Sequence, residues 1–187
     1  NGALMRNIIL GTENVADHLT HFYLFFMPDF ARAVYAGEPW FAEVAGRFRA
    51  VEGTGTRDML PARSAFMHIM GQLAGHWPHT LGLQPGGTTH AIDSAGQARV
   101  LATLATFRRF LEAHVFGDRL EAITSLASAD ELDSWSARPQ PARADFAAFL
   151  RLSRALSLDR LGRASDNFMS FGAYALDGKH HFKRGVR

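Results

Sequence analysis

The sequence contains no cysteine. That absence excludes disulfides, thiol nucleophiles, zinc fingers and cysteine-ligated clusters from anything these residues do alone. Long hydrophobic runs are also missing. The longest uninterrupted apolar stretch is Phe22 to Met27, far short of the roughly 18 residues that a membrane-spanning helix needs, so no membrane span is expected. An excess of one charge is lacking too: 20 Lys and Arg stand against 18 Asp and Glu, for a formal charge of +2. The basic residues are scattered and do not form the dense patch that nucleic-acid binding requires. There is no G-x-S-x-G serine nucleophile and no G-x-x-x-x-G-K-S/T phosphate loop, and no pair of carboxylates stands apart from the ordinary acidic residues of helix surfaces.

What is present suffices for a real core. With 187 residues, 47% of them hydrophobic, the chain reads as one domain spanning 1–187, with a radius of gyration of roughly 16 Å. It begins at Asn1 and enters an apolar helical pattern at once, without the charged segment and cleavage site of a signal peptide; the expectation is a piece of a longer protein.

Helical periodicity dominates. Met5, Ile8, Thr12, Val15, Leu19, Phe22 and Phe26 recur in steps of three and four, which predicts one long helix from Leu4 to Phe26. Leu10, Leu24 and Phe25 lie off that stripe, so the helix is expected to be buried nearly all round. Pro28 interrupts it, a short helical stretch follows through Ala31 to Tyr35, and Pro39 opens a helix carrying Phe41, Val44 and Phe48 that Gly53 to Gly55 closes. A further helix is expected from Asp58 to Gly75 with Pro61 in its first turn. His76 to Asp93, rich in Pro and Gly, reads as short extended segments and tight turns. Ser94 to Gln97 fits a capping box that opens a helix ending at Gly117. More helix is expected at Arg119 to Ala127 and around Phe146, Phe149, Leu150 and Leu156, beyond the linker-like Arg138 to Pro141. Phe168 to Leu176 and Lys179 to Val186 flank Asp177-Gly178 as a hairpin. The fold class is therefore mainly α, a bundle of long buried helices with a few short strands and turns.

Two groups of residues carry candidate chemistry. His18 and His21 sit three apart on the first helix, a spacing that can turn two imidazoles toward one metal. No third ligand stands at metal-site spacing, so paired core histidines bonded to neighbouring elements are the plainer reading. Gly75 to Thr89 presents His76 and His79 from a backbone fixed by prolines and turned by glycines; a purely structural connection packed by Trp77 competes evenly with a functional loop. Arg108-Arg109 and Lys179 to Arg184 read as a solvated helix face and an exposed hairpin.

Three stretches resemble the large subunit of the nickel-iron hydrogenases, in that family's order. Leu4 to Gly11 with His18 to Tyr23 is similar to its R-N-L-I-L-G segment and H-x-x-H-F-Y helix. Gly75 to Thr89 is similar to a G-G-K-x-P-H segment ending in P-G-G. Asn167 to Tyr174 is similar to N-Y-L-S-Y-G-A-F, with Arg184-Gly185-Val186 matching the R-G-V that follows. Together they span nearly the whole chain, and His18 to Phe30 and Trp77 to Thr89 are most similar to the hydrogen-sensing and cytoplasmic uptake branch, which implies a cytoplasmic location. In this family the nickel-iron centre is held by two C-x-x-C motifs near the two ends of the subunit. The resemblance thus implies an internal fragment lacking both cysteine motifs, inactive and without metal by itself. Its parent would cleave dihydrogen and pass electrons to an iron-sulphur small subunit. It also implies that His79 lies toward that partner, that His18 and His21 support the buried core, and that none of these is a metal ligand. His76 stands where many members have lysine, which removes a fixed positive charge, since imidazole is largely neutral near pH 7. The alternatives are a hydrogen-sensor subunit that signals through a protein partner, or a stand-alone helical interaction module. Helices that a parent would bury predict self-association of the fragment.

Overall fold

The computed structural model describes residues 2–139 and 144–162, together with 164, 165, 167, 169, 170, 174, 185 and 186. It is mainly helical. Helix α1 (Gly2–Thr20) continues into a π-helical turn, His21–Phe26, and then two 3-10 turns, Met27–Ala31 and Ala33–Tyr35. Helices α2 (Phe41–Phe48), α3 (Thr54–Ala74) and α4 (Ser94–Phe110) follow, the last extended by a second π-helical turn, Leu111–Phe116. Helices α5 (Leu120–Thr124), α6 (Ala129–Ser136) and α7 (Asp145–Ala155) complete the helical set among the described residues, with a 3-10 turn at Leu158–Arg160.

A helix forms where the periodicity predicts it. Its buried face is rotated from the predicted stripe, keeping Thr12 and Leu19 while Ile9 is buried and Ile8 exposed, and its last turn widens. The Met27 amide bonds to the Phe22 carbonyl, five residues back, just before Pro28. A proline ring would collide with the carbonyl four residues earlier and has no amide to offer; a widened turn is a recognised way to accommodate such a break. The expectation of burial all round is corrected. Ile9, Thr12, Ala16 and Leu19 form the buried stripe, whereas Leu10, Leu24 and Phe25 are exposed, Phe25 by 66%.

Other boundaries shift for identifiable reasons. Gly53 caps the start of α3 instead of closing α2; its amide bonds to the Arg49 carbonyl, and a Cβ there would meet the Arg47 and Arg49 carbonyl oxygens at 2.6 and 2.7 Å. Pro61 therefore lies inside α3, not in its first turn. Asp93, not Ser94, caps α4, its Oδ1 accepting from the Gly96 amide at 2.6 Å. Gly117 stops the second π-helical run with a left-handed φ of 64°, as expected of a glycine terminator. Helix α6 has no counterpart in the sequence reading.

The core forms where α1 packs on α3 and α3 on α4. Phe66 of α3 stacks on Phe107 of α4 with ring centroids 3.9 Å apart, and Phe22, Phe48 and Phe149 join the π-helical turn to α2 and α7. A smaller cluster gathers Trp135 and Ala147. The strands are short: β1 (Leu83–Gln84) pairs antiparallel with β2 (Gly87–Thr88) across Pro85-Gly86. Met169–Ser170 (β3) pairs antiparallel with Gly185–Val186 (β4). Both β3–β4 pairs are equidistant from the Asp177-Gly178 junction. That dipeptide itself, like Gln140-Pro141, the Lys179 to Arg184 stretch and half of the 167–174 stretch, lies outside the described residues.

Candidate functional site

Helix α1 is the element on which distant parts of the chain meet. At its first residue, the β1–β2 hairpin is so close that a Cβ on Gly2 would lie 2.8 Å from the Gly87 Cα; only glycine permits that approach. Further along, the Trp77 indole Nε1 donates to Glu13 Oε1 at 3.1 Å. Next to that contact, Asn14 Nδ2 donates to the Tyr174 hydroxyl at 2.8 Å, while the Tyr174 ring lies over Gly11, with Cε1 3.6 Å from where a Cβ would stand.

The loop that carries Trp77 is tied to the end of α3. Thr80 Oγ1 donates to the Ala74 carbonyl at 2.5 Å and accepts from the Gly82 amide at 2.9 Å. The Thr89 amide closes the base by donating to the Gly82 carbonyl at 2.9 Å. His76 and His79 come together within it: His76 Nε2 lies 3.0 Å from the His79 carbonyl oxygen, an N–H donor contact when Nε2 carries the proton. His79 itself has φ of 64°, a left-handed conformation that few non-glycine residues adopt, and the Trp77–Pro78 peptide is cis. Both imidazoles are exposed. The loop therefore presents two histidines outward from a backbone held at several points.

His18 and His21 are placed differently from the expectation that they support the core. Both are exposed, because the buried stripe of α1 runs through Thr12, Ala16 and Leu19 on the far side of the helix. The His21 ring stacks on Phe26 at 5.9 Å. Among the described residues, no group of three or more His, Asp or Glu side chains could hold a metal ion.

The strongest electrostatic feature lies elsewhere, and the sequence reading missed it. Asp145, at the start of α7 and only 3% exposed, receives Arg47 in bidentate fashion: Nε to Oδ1 at 2.8 Å and Nη2 to Oδ2 at 2.7 Å. The buried Tyr23 hydroxyl donates to the same carboxylate. Arg47 Nη1 reaches on to Asp58 Oδ2 at 2.5 Å and to Thr54 Oγ1 at 3.2 Å, and His114 Nδ1 stands 3.4 Å from Asp58 Oδ2. Hydrogen bonds thereby join four elements, the first π-helical turn, α2, α3 and α7, while His114 Nδ1 of the second π-helical turn is buried beside Asp58 with no hydrogen-bond partner among the described residues. Burial, reinforced by the neighbouring Asp145 carboxylate, pushes the Tyr23 phenol well above its usual range. Arg47 is held charged above its already high value: burial opposes this, but its hydrogen bonds and attraction to Asp145 outweigh it. Four of the five guanidinium N–H donors are taken by protein acceptors among the described residues, so the array bolts the helices together. A cavity of about 210 Å3, lined by Glu43, Thr54 and Ala148, opens beside it.

A surface ion cluster fastens the end of α4 to α5. Arg108 reaches Glu112 at 2.8 Å and Glu121 at 2.5 Å, and the Leu120 amide donates to Glu112 Oε1 at 3.0 Å. The Leu120 amide, then Arg108, holds Glu112 below the usual carboxylate range, and Arg108 does the same for Glu121. Arg108, one of the densest basic spots in the sequence, is thus occupied by neighbouring acids. No protein-family model matches the chain.

Proposed function

We propose that the chain is the central, cysteine-free portion of a nickel-iron hydrogenase large subunit and that its role is to scaffold. One observation carries this reading. The second and third stretches that resemble the family, widely separated in sequence, both pack on the helix that carries the first: Gly87 on Gly2, Trp77 on Glu13, and Tyr174 on Asn14 and Gly11. Convergence of this kind supports a shared framework role for those stretches.

The residues present do not fit the metal centre itself. A redox nickel site calls for soft thiolate ligands, and the chain has no cysteine. In the proposal those thiolates come from C-x-x-C segments outside this sequence, and α1 with the 75–89 loop holds the helical framework around them. The His76–His79 loop, outward-facing and held by hydrogen bonds, is then the face turned to the iron-sulphur small subunit. The parent's activity, hydrogen cleavage with electron transfer to that subunit, belongs to the proposal. So does a cytoplasmic location; no helix among the described residues is long and apolar enough to cross a membrane.

The flanking reading frame tests this reading, together with metal analysis. In-frame C-x-x-C motifs on both sides are expected, with nickel retained only when those segments are supplied. Stoichiometric nickel on the 187 residues alone, or a frame with no C-x-x-C on either side, would overturn it.

A further inference from the structure

A cavity of about 680 Å3 lies between the 3-10 turns that follow α1 and the C-terminal end of α7, a volume typical of small-molecule sites. Its wall is a continuous run of rings. Phe149 meets Phe26 at 5.8 Å, Phe26 meets Phe30 at 5.2 Å and Phe30 meets Tyr35 at 5.9 Å between centroids. Around this wall stand three exposed charged residues, Asp29, Arg32 and Asp159. None of their side chains has a hydrogen-bond or ion-pair partner among the described residues, in contrast to Arg47, Arg108, Arg151 and Arg154, each of which is paired with a carboxylate.

The combination is selective. Aromatic rings offer apolar area and a negative quadrupole face that attracts cations, and two carboxylates against one guanidinium leave the rim net negative. An anion would be repelled by Asp29 and Asp159, and a neutral hydrocarbon would use the wall but not the rim. We propose that this cavity binds a small organic cation with an aromatic or branched apolar body, the body on the Phe26–Phe30–Tyr35–Phe149 wall and the cationic head toward Asp29 and Asp159. The inference is independent of the hydrogenase reading.

Titration of the full chain with benzyltrimethylammonium, followed by calorimetry and by NMR of ring-labelled phenylalanine, tests it. The expected result is saturable binding with Kd at or below roughly 1 mM, and shifts confined to Phe26, Phe30 and Phe149. Benzyl alcohol and benzoate should bind at least about tenfold more weakly, and the Asp29→Asn, Asp159→Asn double variant should lose a similar factor. Because these carboxylates are exposed and have no partner among the described residues, the double variant is expected to keep its melting temperature. Arg32→Gln should tighten the cation. The proposal is overturned by benzyl alcohol binding as well as the cation, by benzoate binding better, by a double variant of unchanged affinity, or by no saturation up to roughly 10 mM.

Discussion

Asn14 donates a hydrogen bond to the hydroxyl of Tyr174 across 160 residues of chain, and the Tyr174 ring covers Gly11 one turn away on the same helix. The contact pins the C-terminal stretch to the surface of α1, beside the point where Trp77 reaches Glu13. A helix that gathers two remote segments behaves as an organising strut, and its surface residues acquire structural weight that their exposure alone would not suggest.

That contact is expected to be energetically coupled. Asn14→Ala and Tyr174→Phe should each cost about 0.5–1.5 kcal/mol, and the double variant should cost less than their sum. Urea unfolding of the four proteins measures the coupling; strict additivity would show that the two side chains do not interact in solution.

The buried array predicts larger losses. Asp145→Asn removes the buried carboxylate that Arg47 grips at two points and leaves it Asp58 alone as a charged partner, and breaking a buried pair in this way should cost about 3 kcal/mol, the lower end of the range for such pairs. Tyr23→Phe removes one donor to a carboxylate that keeps two others, and should cost about 1.5–3 kcal/mol. Denaturant midpoints of the two variants should therefore fall in that order.

Tyr23 also sets an alkaline limit. Its phenol is raised in the folded state above the ordinary value of about 10, so the folded chain binds the proton more tightly than the unfolded one. This contribution is fully present below pH of about 10 and is lost as pH rises beyond it, at up to ~1.4 kcal/mol per pH unit. Unfolding free energies measured from pH 8 upward should decline more steeply in the wild-type chain than in Tyr23→Phe. Parallel curves would mean that the phenol is not buried as described.

The acid side has the opposite sign. Glu112 and Glu121 are lowered in the folded state, so their contribution is present above the unfolded value near 4.3 and is lost as pH falls below it. Glu112→Gln should flatten the pH dependence of stability in that range, read by thermal melts at a series of pH values. The cluster is exposed, so added salt should weaken the effect.

Much of the fold is legible in the sequence because helices are local. The three-and-four spacing of Met5 to Phe26 marks α1, and the register of β3 against β4 is symmetric about Asp177-Gly178. The differences arise where a competing local group or a distant one decides. Asp93 outcompetes Ser94 as a cap, and the crowded Gly53 starts α3 early enough to leave Pro61 inside it. Helix α6 carries few apolar residues, yet Ser128 and Glu131 announce it: the Glu131 amide donates to Ser128 Oγ, and Glu131 Oε2 accepts from the Ala127 amide. The Tyr23–Asp145–Arg47 array is invisible to periodicity because its members lie 98 and 122 residues apart. A tyrosine within an apolar run and an arginine beside Phe48 were its only local traces.

Exposed apolar residues on the first helical run, Leu4, Ile8 and Phe25, predict self-association. Light scattering should find species larger than a monomer, reduced by Phe25→Ser; a clean monomer at all concentrations would contradict this.

The central claim is that these residues form the framework of a nickel-iron hydrogenase large subunit. Its most direct test is hydrogen-dependent reduction of benzyl viologen by a large subunit in which this chain replaces the corresponding middle portion, assembled with its small subunit. The account predicts retained nickel and measurable dye reduction, diminished when Asn14 and Tyr174 are both changed. A folded, assembled chimera that neither holds nickel nor reduces the dye would contradict it.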